Sequence, residues 1–203
     1  MTLTFLGRWA FRLSCVIVAL FTLRLLALPA DMVMPVLTYY LPVLPVTIWL
    51  HVIFGPIALF LAPFQLSNGL RARRPALHRV MGYGYALSIL IAGGSSLVLL
   101  LEFAGSWFAL SGFAALGTLW IAFTALGIRA AMGRDFGRHR RWMLRSVALT
   151  FGAVTLRIMM PPLMAAGMSA VETYDVTAWG CWLPSLLLLE WWQNRRPARV
   201  ALA

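Results

Sequence analysis

The sequence predicts an all-α protein: a polytopic bundle of six transmembrane helices, with both ends on the cytoplasmic side of a bacterial inner membrane. Three observations carry this. Hydrophobic residues make up 62% of the chain and charged ones 11%, against roughly 25% charged in a soluble domain whose surface must be wetted. Long charge-free runs alternate with short charged segments. Arginines cluster in every second one of those segments, and acids occupy the others. At about 20 apolar residues per crossing, 203 residues accommodate six spans as a single transmembrane domain.

The expected helices cover about 9–28, 46–64, 80–101, 107–128, 142–164 and 176–193. In the first, Arg12 and Arg24 can snorkel from either end. Its start looks like a secretory signal, but Leu28 stands where a cleavage site needs a small residue, so the helix is expected to be retained. Residues 32–70 carry no charge, and Pro35, Pro42 and Pro45 make the entry to the second helix irregular. The third and fourth helices are charge-free and dense in small residues, among them Gly82, Gly84, Gly93, Gly94, Gly112 and Gly117. Such residues let backbones approach closely, and close packing is the main association force in lipid. The fifth contains Arg145 and Arg157 and meets Pro161-Pro162, which should bend or end it. The sixth has Trp182 at one end and Trp191-Trp192 at the other as interfacial anchors.

Orientation follows from charge. Arg8 and Arg12, then Arg71, Arg73, Arg74 and Arg79, then Arg129, Arg134, Arg138, Arg140 and Arg141, and finally Arg195, Arg196 and Arg199 fall on one side. Asp31, Glu102, Glu172 and Asp175 fall on the other. Basic loops stay in the cytoplasm. The net charge of +11 therefore reads as a topology signal, and nothing points to nucleic acid. Cys15 and Cys181 are expected near opposite faces, with neither disulfide nor metal-site spacing. No phosphate loop, nucleophile elbow or paired carboxylates occur. Enzyme activity is left open; if there is one, it is that of a membrane oxidoreductase.

Ionisable groups inside lipid are costly, so each calls for a role. His51, about five residues into the second helix, and Arg157, deep in the fifth, share a depth near the outer face, with Glu102 just above. A stripe of His51, Gly55, Ala58, Ala62 and Gln65 is expected to face one of Ser146, Thr150, Ala153 and Arg157. This group is either a site for a small polar ligand or an Arg157–Glu102 tie between helices, with His51 bonded to a carbonyl. On the inner side, His78 and His139 each begin a helix. Two histidines at equal depth can clamp a haem b iron, with Arg79, Arg140, Arg141 or Arg145 on the propionates. Gly82, on the face of His78 and Tyr85, would leave room for the macrocycle. The competing reading makes both histidines interfacial anchors touching lipid phosphates. A repeat also suggests itself: His78 to Ser88 and His139 to Thr150 each place Met, four residues, then Ala-Leu-Ser/Thr at the start of a helix.

These residues fall into three motifs. The first is His51, Phe54-Gly55-Pro56 and Ala62-Pro63-Phe64-Gln65. The second is Leu70-Arg71-Ala72-Arg73 with Pro75, Leu77-His78-Arg79, Gly82 and Tyr85. The third is His139-Arg140-Arg141-Trp142-Met143 with Arg145-Ser146 and Thr155-Leu156-Arg157. Together, over roughly residues 45–165, they resemble the bacterial predicted membrane proteins of domain of unknown function 2306. The resemblance implies a polytopic membrane protein and no particular activity. It marks His51, His78, His139, Arg145 and Arg157 as the matching polar positions.

Three functions stay open at this point. One is a haem b protein exchanging electrons, with quinone as the partner class. Another is a small-ligand transporter or sensor using His51, Arg157 and Glu102. The last is a non-enzymatic assembly or scaffolding subunit.

Overall fold

The computed structural model describes residues 5–29 and 36–195, and the regular elements in them are helical. They are α1 (Phe5–Leu23), α2 (Val36–Tyr40), α3 (Pro45–Gln65), α4 (Asn68–Arg73), α5 (Pro75–Leu99), α6 (Trp107–Met132), α7 (Phe136–Ala165), α8 (Ala170–Gly180) and α9 (Leu183–Asn194). Short 3-10 turns, Arg24–Leu26 and Leu100–Glu102, extend α1 and α5. Pro35, Asp31, Arg196 and Arg199, used above, lie outside the described residues.

Among the described residues, five helices are long and apolar enough to cross a membrane: α1 with its 3-10 turn, α3, α5 with its 3-10 turn, α6 and α7. Their limits overrun the apolar runs. α5 begins at Pro75 and not at 80, and α7 at Phe136 and not at 142. Hydropathy marks where a helix meets lipid, whereas caps decide where it starts. Pro75 suits the first helical position because its missing N–H would be unpaired there anyway. Asp135 caps α7, its carboxylate accepting the Arg138 N–H at 2.9 Å. The arginines expected in loops therefore lie largely on helical turns: Arg71 and Arg73 on α4, and Arg138, Arg140 and Arg141 at the start of α7. Nor do Pro161 and Pro162 end α7, which runs on to Ala165. It closes at Gly167 (φ +90°), where the Met168 N–H returns to the Leu163 carbonyl at 3.2 Å, a left-handed cap that favours glycine.

The continuous sixth helix over 176–193 is not what forms. The chain turns helical earlier, at Ala170, and breaks at Cys181-Trp182 into α8 and α9. Pro184, in the first turn of α9, explains the break: it has no N–H for the Gly180 carbonyl, and its ring crowds that position. With 11 and 12 residues and a rise of about 1.5 Å each, neither half crosses a bilayer alone.

Within the bundle α5 packs against α3 and α6, α7 against α6, and α1 against α3. The small residues sit at these contacts. A Cβ on Gly93 would fall 2.8 Å from Ile121, and one on Gly112 would fall 3.0 Å from the backbone of Ala178. α8 packs on α6 and α7, and α9 on α7. Ser106 joins Asp175 of α8 by a short hydrogen bond at the acidic end. Far along α8–α9, Glu190 joins Arg145, toward the arginine-bearing end. Cys15 and Cys181 are both buried and free.

Candidate functional site

His78 and His139 each occupy the fourth position of their helix, α5 and α7. Chain reversal through α6 makes those two helices run the same way, so both rings start at the arginine-bearing end. His139 Nδ1 lies 2.8 Å from the Gly127 carbonyl of α6. A carbonyl only accepts, so Nδ1 carries the proton of this bond and Nε2 faces away from it. The rings of His78 and His139 stand close enough to interact electrostatically, with Arg71 also in range of His78. His78 Nδ1 is buried without a hydrogen-bond partner, and so is Gln65 Nε2 at the end of α3.

Two expectations at this end need correcting. The space beside Gly82 is not left for a macrocycle: a Cβ there would meet Gln65 Oε1 at 3.3 Å. Arg145 is not a free cation either. Its Nε and Nη2 donate to both oxygens of Glu190 at 2.5 and 2.7 Å, and its guanidinium lies 4.5 Å over the Trp142 ring. Arg79, Arg140 and Arg141 remain exposed.

Midway along the bundle, buried hydroxyls tie α5, α6 and α7 together. Tyr85 OH meets Ser146 Oγ at 2.9 Å and Thr150 Oγ1 at 2.8 Å. Thr124 Oγ1 meets Ser146 Oγ at 2.7 Å and donates to the Trp120 carbonyl. Trp120 Nε1 donates to Thr150 Oγ1, which donates to the Ser146 carbonyl. Those are six contacts, and the five side chains bring one hydrogen each. The cluster is one hydrogen short, so its hydroxyl–hydroxyl contacts share donors. Sequence reasoning noticed Tyr85, Ser146 and Thr150 and set the α3 stripe against that of α7. The two helices do meet, Ala58 and Ala62 packing in one cluster with Val147 of α7 and with Tyr85 and Ile89 of α5, and Leu59 with Val154.

Toward the acidic end, His51 Nδ1 lies 3.0 Å from the Ala92 carbonyl. Arg157 is within electrostatic range of that ring, as their matched depths predicted. Its Nη1 donates back to Ala153 on its own helix at 3.0 Å. Among the described residues the alternative tie to Glu102 does not form; Glu102 is exposed on the 3-10 turn after α5.

The family of predicted membrane proteins named DUF2306 matches residues 48–193. The chain belongs to that family. It is a membrane protein with several apolar helices of crossing length. No curated protein and no solved structure matches the chain. The DUF2306 match runs beyond the 45–165 of the motif resemblance, through α8 and most of α9, and leaves α1 outside. It thus takes in Glu190, the residue sequence reasoning missed. One signal was available: Glu190 is the single charge within the apolar segment 176–193, and a lone acid at that depth asks for a cation. Chemically the DUF2306 bundle offers two imidazoles, His139 and His51, each with Nδ1 set on a carbonyl and Nε2 available. Among the described residues no cluster of three His, Cys, Asp or Glu side chains could hold a metal ion without further ligands.

Proposed function

We propose that this protein is a redox-linked membrane protein of a bacterial inner membrane that holds haem b between His78 and His139. One observation carries the reading. Two imidazoles occupy the same helical position on α5 and α7 within electrostatic range of each other, and one has its Nδ1–H bound to a backbone carbonyl. That bond fixes the ring and makes Nε2 a better ligand. The unpartnered His78 nitrogen and two imidazoles at one end of the bundle suit a haem iron. Arg140 and Arg141, both exposed, would meet the propionates; Arg145 would not, because Glu190 holds it. Gln65 would leave the Gly82 notch, and its amide nitrogen has no hydrogen bond there to lose. The group would supply one-electron transfer, with quinone as the partner class in the bilayer. Purified after expression with ample haem, the protein should show a Soret band that shifts on dithionite reduction. His78→Ala and His139→Ala should each abolish the band with helix content unchanged. A colourless preparation would end the proposal.

A second reading rests on Arg157. An uncompensated cation at mid-helix costs about 3 kcal/mol on insertion scales, and here Arg157 has no carboxylate partner among the described residues. Beside His51 it forms a site for a small anion, as a transporter or sensor would need. Phosphate and short carboxylates should then raise the thermal midpoint, and Arg157→Gln should remove that rise.

The same proposal takes α8 and α9 together as a sixth crossing, with the arginine-bearing end and both termini in the cytoplasm. Asp175 and Glu190, anchored to Ser106 and Arg145 at different depths, support it.

A further inference from the structure

A groove of about 460 Å³ runs between α5 and α6 on the outer surface of the bundle. Tyr83, Leu87 and Leu90 wall it on one side, and Ile121, Ala125 and Ile128 on the other. Tyr83, Leu87 and Leu90 are all more than half exposed, so the groove opens to whatever surrounds the helices. Both helices are of crossing length, and that surrounding is hydrocarbon. The walls follow helical stripes that can be continued past the groove. One turn before Tyr83 the α5 stripe reaches Arg79, and one turn after Ala125 the α6 stripe reaches Arg129. Both arginines are exposed. Neither has a hydrogen bond or ion pair through its side chain among the described residues. An apolar channel with two unpaired cations at its mouth matches an anionic lipid in both chemistry and order. The stretch from Tyr83 to Leu90 is about 10 Å long at 1.5 Å per residue, and Tyr83 sits where an aromatic ring belongs, between phosphate and chain.

We propose that this groove is a binding site for one anionic phospholipid, its acyl chain between α5 and α6 and its phosphate bridged by Arg79 and Arg129. Basic pockets between transmembrane helices select anionic headgroups in this way. The site is separate from the histidines, and its test does not depend on haem. Native mass spectrometry of the purified full chain, exchanged into detergent with equal phosphatidylglycerol and phosphatidylcholine, reads it out. One phosphatidylglycerol should be retained in preference to phosphatidylcholine. The Arg79→Gln/Arg129→Gln pair should lower that retention by about thirtyfold, at roughly 1 kcal/mol for each arginine. Arg134→Gln/Arg138→Gln, an equal change of charge away from the groove, should leave it unchanged. Ala125→Leu, which fills the groove from an exposed position, should lower it with both arginines intact. Equal retention of the two lipids, loss in the control pair, or full retention in Ala125→Leu would each overturn the proposal. Should the double variant not fold, the single Arg79→Gln and Arg129→Gln variants carry the same test at partial amplitude.

Discussion

Arg134 stands between α6 and α7 with φ of 58°, where a Cβ crowds the following carbonyl at a cost of about 1–2 kcal/mol. The neighbouring Asp135 N–H returns to the Ala130 carbonyl at 2.9 Å, so this is a helix-closing turn that suits glycine. Arg134→Gly should raise the stability by about 1 kcal/mol, seen as a higher thermal midpoint. The hydroxyl cluster makes a less obvious forecast. Removing the Tyr85 phenol takes away one hydrogen and two contacts, leaving four of each, fully matched. Tyr85→Phe should therefore cost under about 1 kcal/mol, although Tyr85 is fully buried. Thr150→Val is different, because it leaves the Trp120 indole N–H without its acceptor. That should cost about 1–3 kcal/mol. Equal losses from the two substitutions in chemical denaturation would refute the hydrogen count.

Among the elements, α8 depends on its first turn. Ser169 and Glu172 form a reciprocal cap, and the hydrogen bonds from the Ser169 hydroxyl and N–H hold the Glu172 carboxyl below the usual range. A depressed carboxyl contributes stability above its unfolded value and loses it as pH falls through the folded one. The protection of amides 170–173 relative to their intrinsic exchange rates should thus fall in mild acid, and Ser169→Ala should remove that pH dependence. Packing fixes α8 laterally: Gly112→Ala would push against the Ala178 backbone and should cost about 1–3 kcal/mol. The long helices were legible from the sequence because length and hydropathy suffice to define them. Their ends were not, since caps at Pro75 and Asp135 carried helix into the arginine turns. Neighbourhood was legible in part, because a constant rise per residue matched His51 with Arg157 and His78 with His139, pairs that lie within electrostatic range. Partner choice was hidden. It depends on how each helix is rotated about its axis, and a proline kink in the last segment turned Glu190 toward Arg145.

Across the whole molecule, a spacing of 61 residues recurs: His78 with His139, and Tyr85 with Ser146, whose hydroxyls touch. The Met and Ala-Leu-Ser/Thr repeat itself runs at 62 residues, Met81 with Met143 and Ala86 with Ala148, so these pairs are one position out of its register. The six-crossing reading makes a direct topological claim. With Cys15 and Cys181 replaced by alanine, a cysteine at Ser169 and one at Arg195 should be labelled by impermeant reagent from opposite sides of the membrane. Labelling from one side alone would make α8 and α9 a surface hairpin. Glu190→Gln would leave the Arg145 cation without its anion, and should cost about 1–2 kcal/mol after discounting for the pair's partial exposure. That pair also bears on how the protein is made. Arg145 leaves the ribosome well before Glu190, so the nascent chain enters the insertion machinery with a charge whose neutraliser has not yet been translated. Stable seating of α7 should then wait for the last segment, and biogenesis rather than final stability is where loss of Glu190 should be felt first.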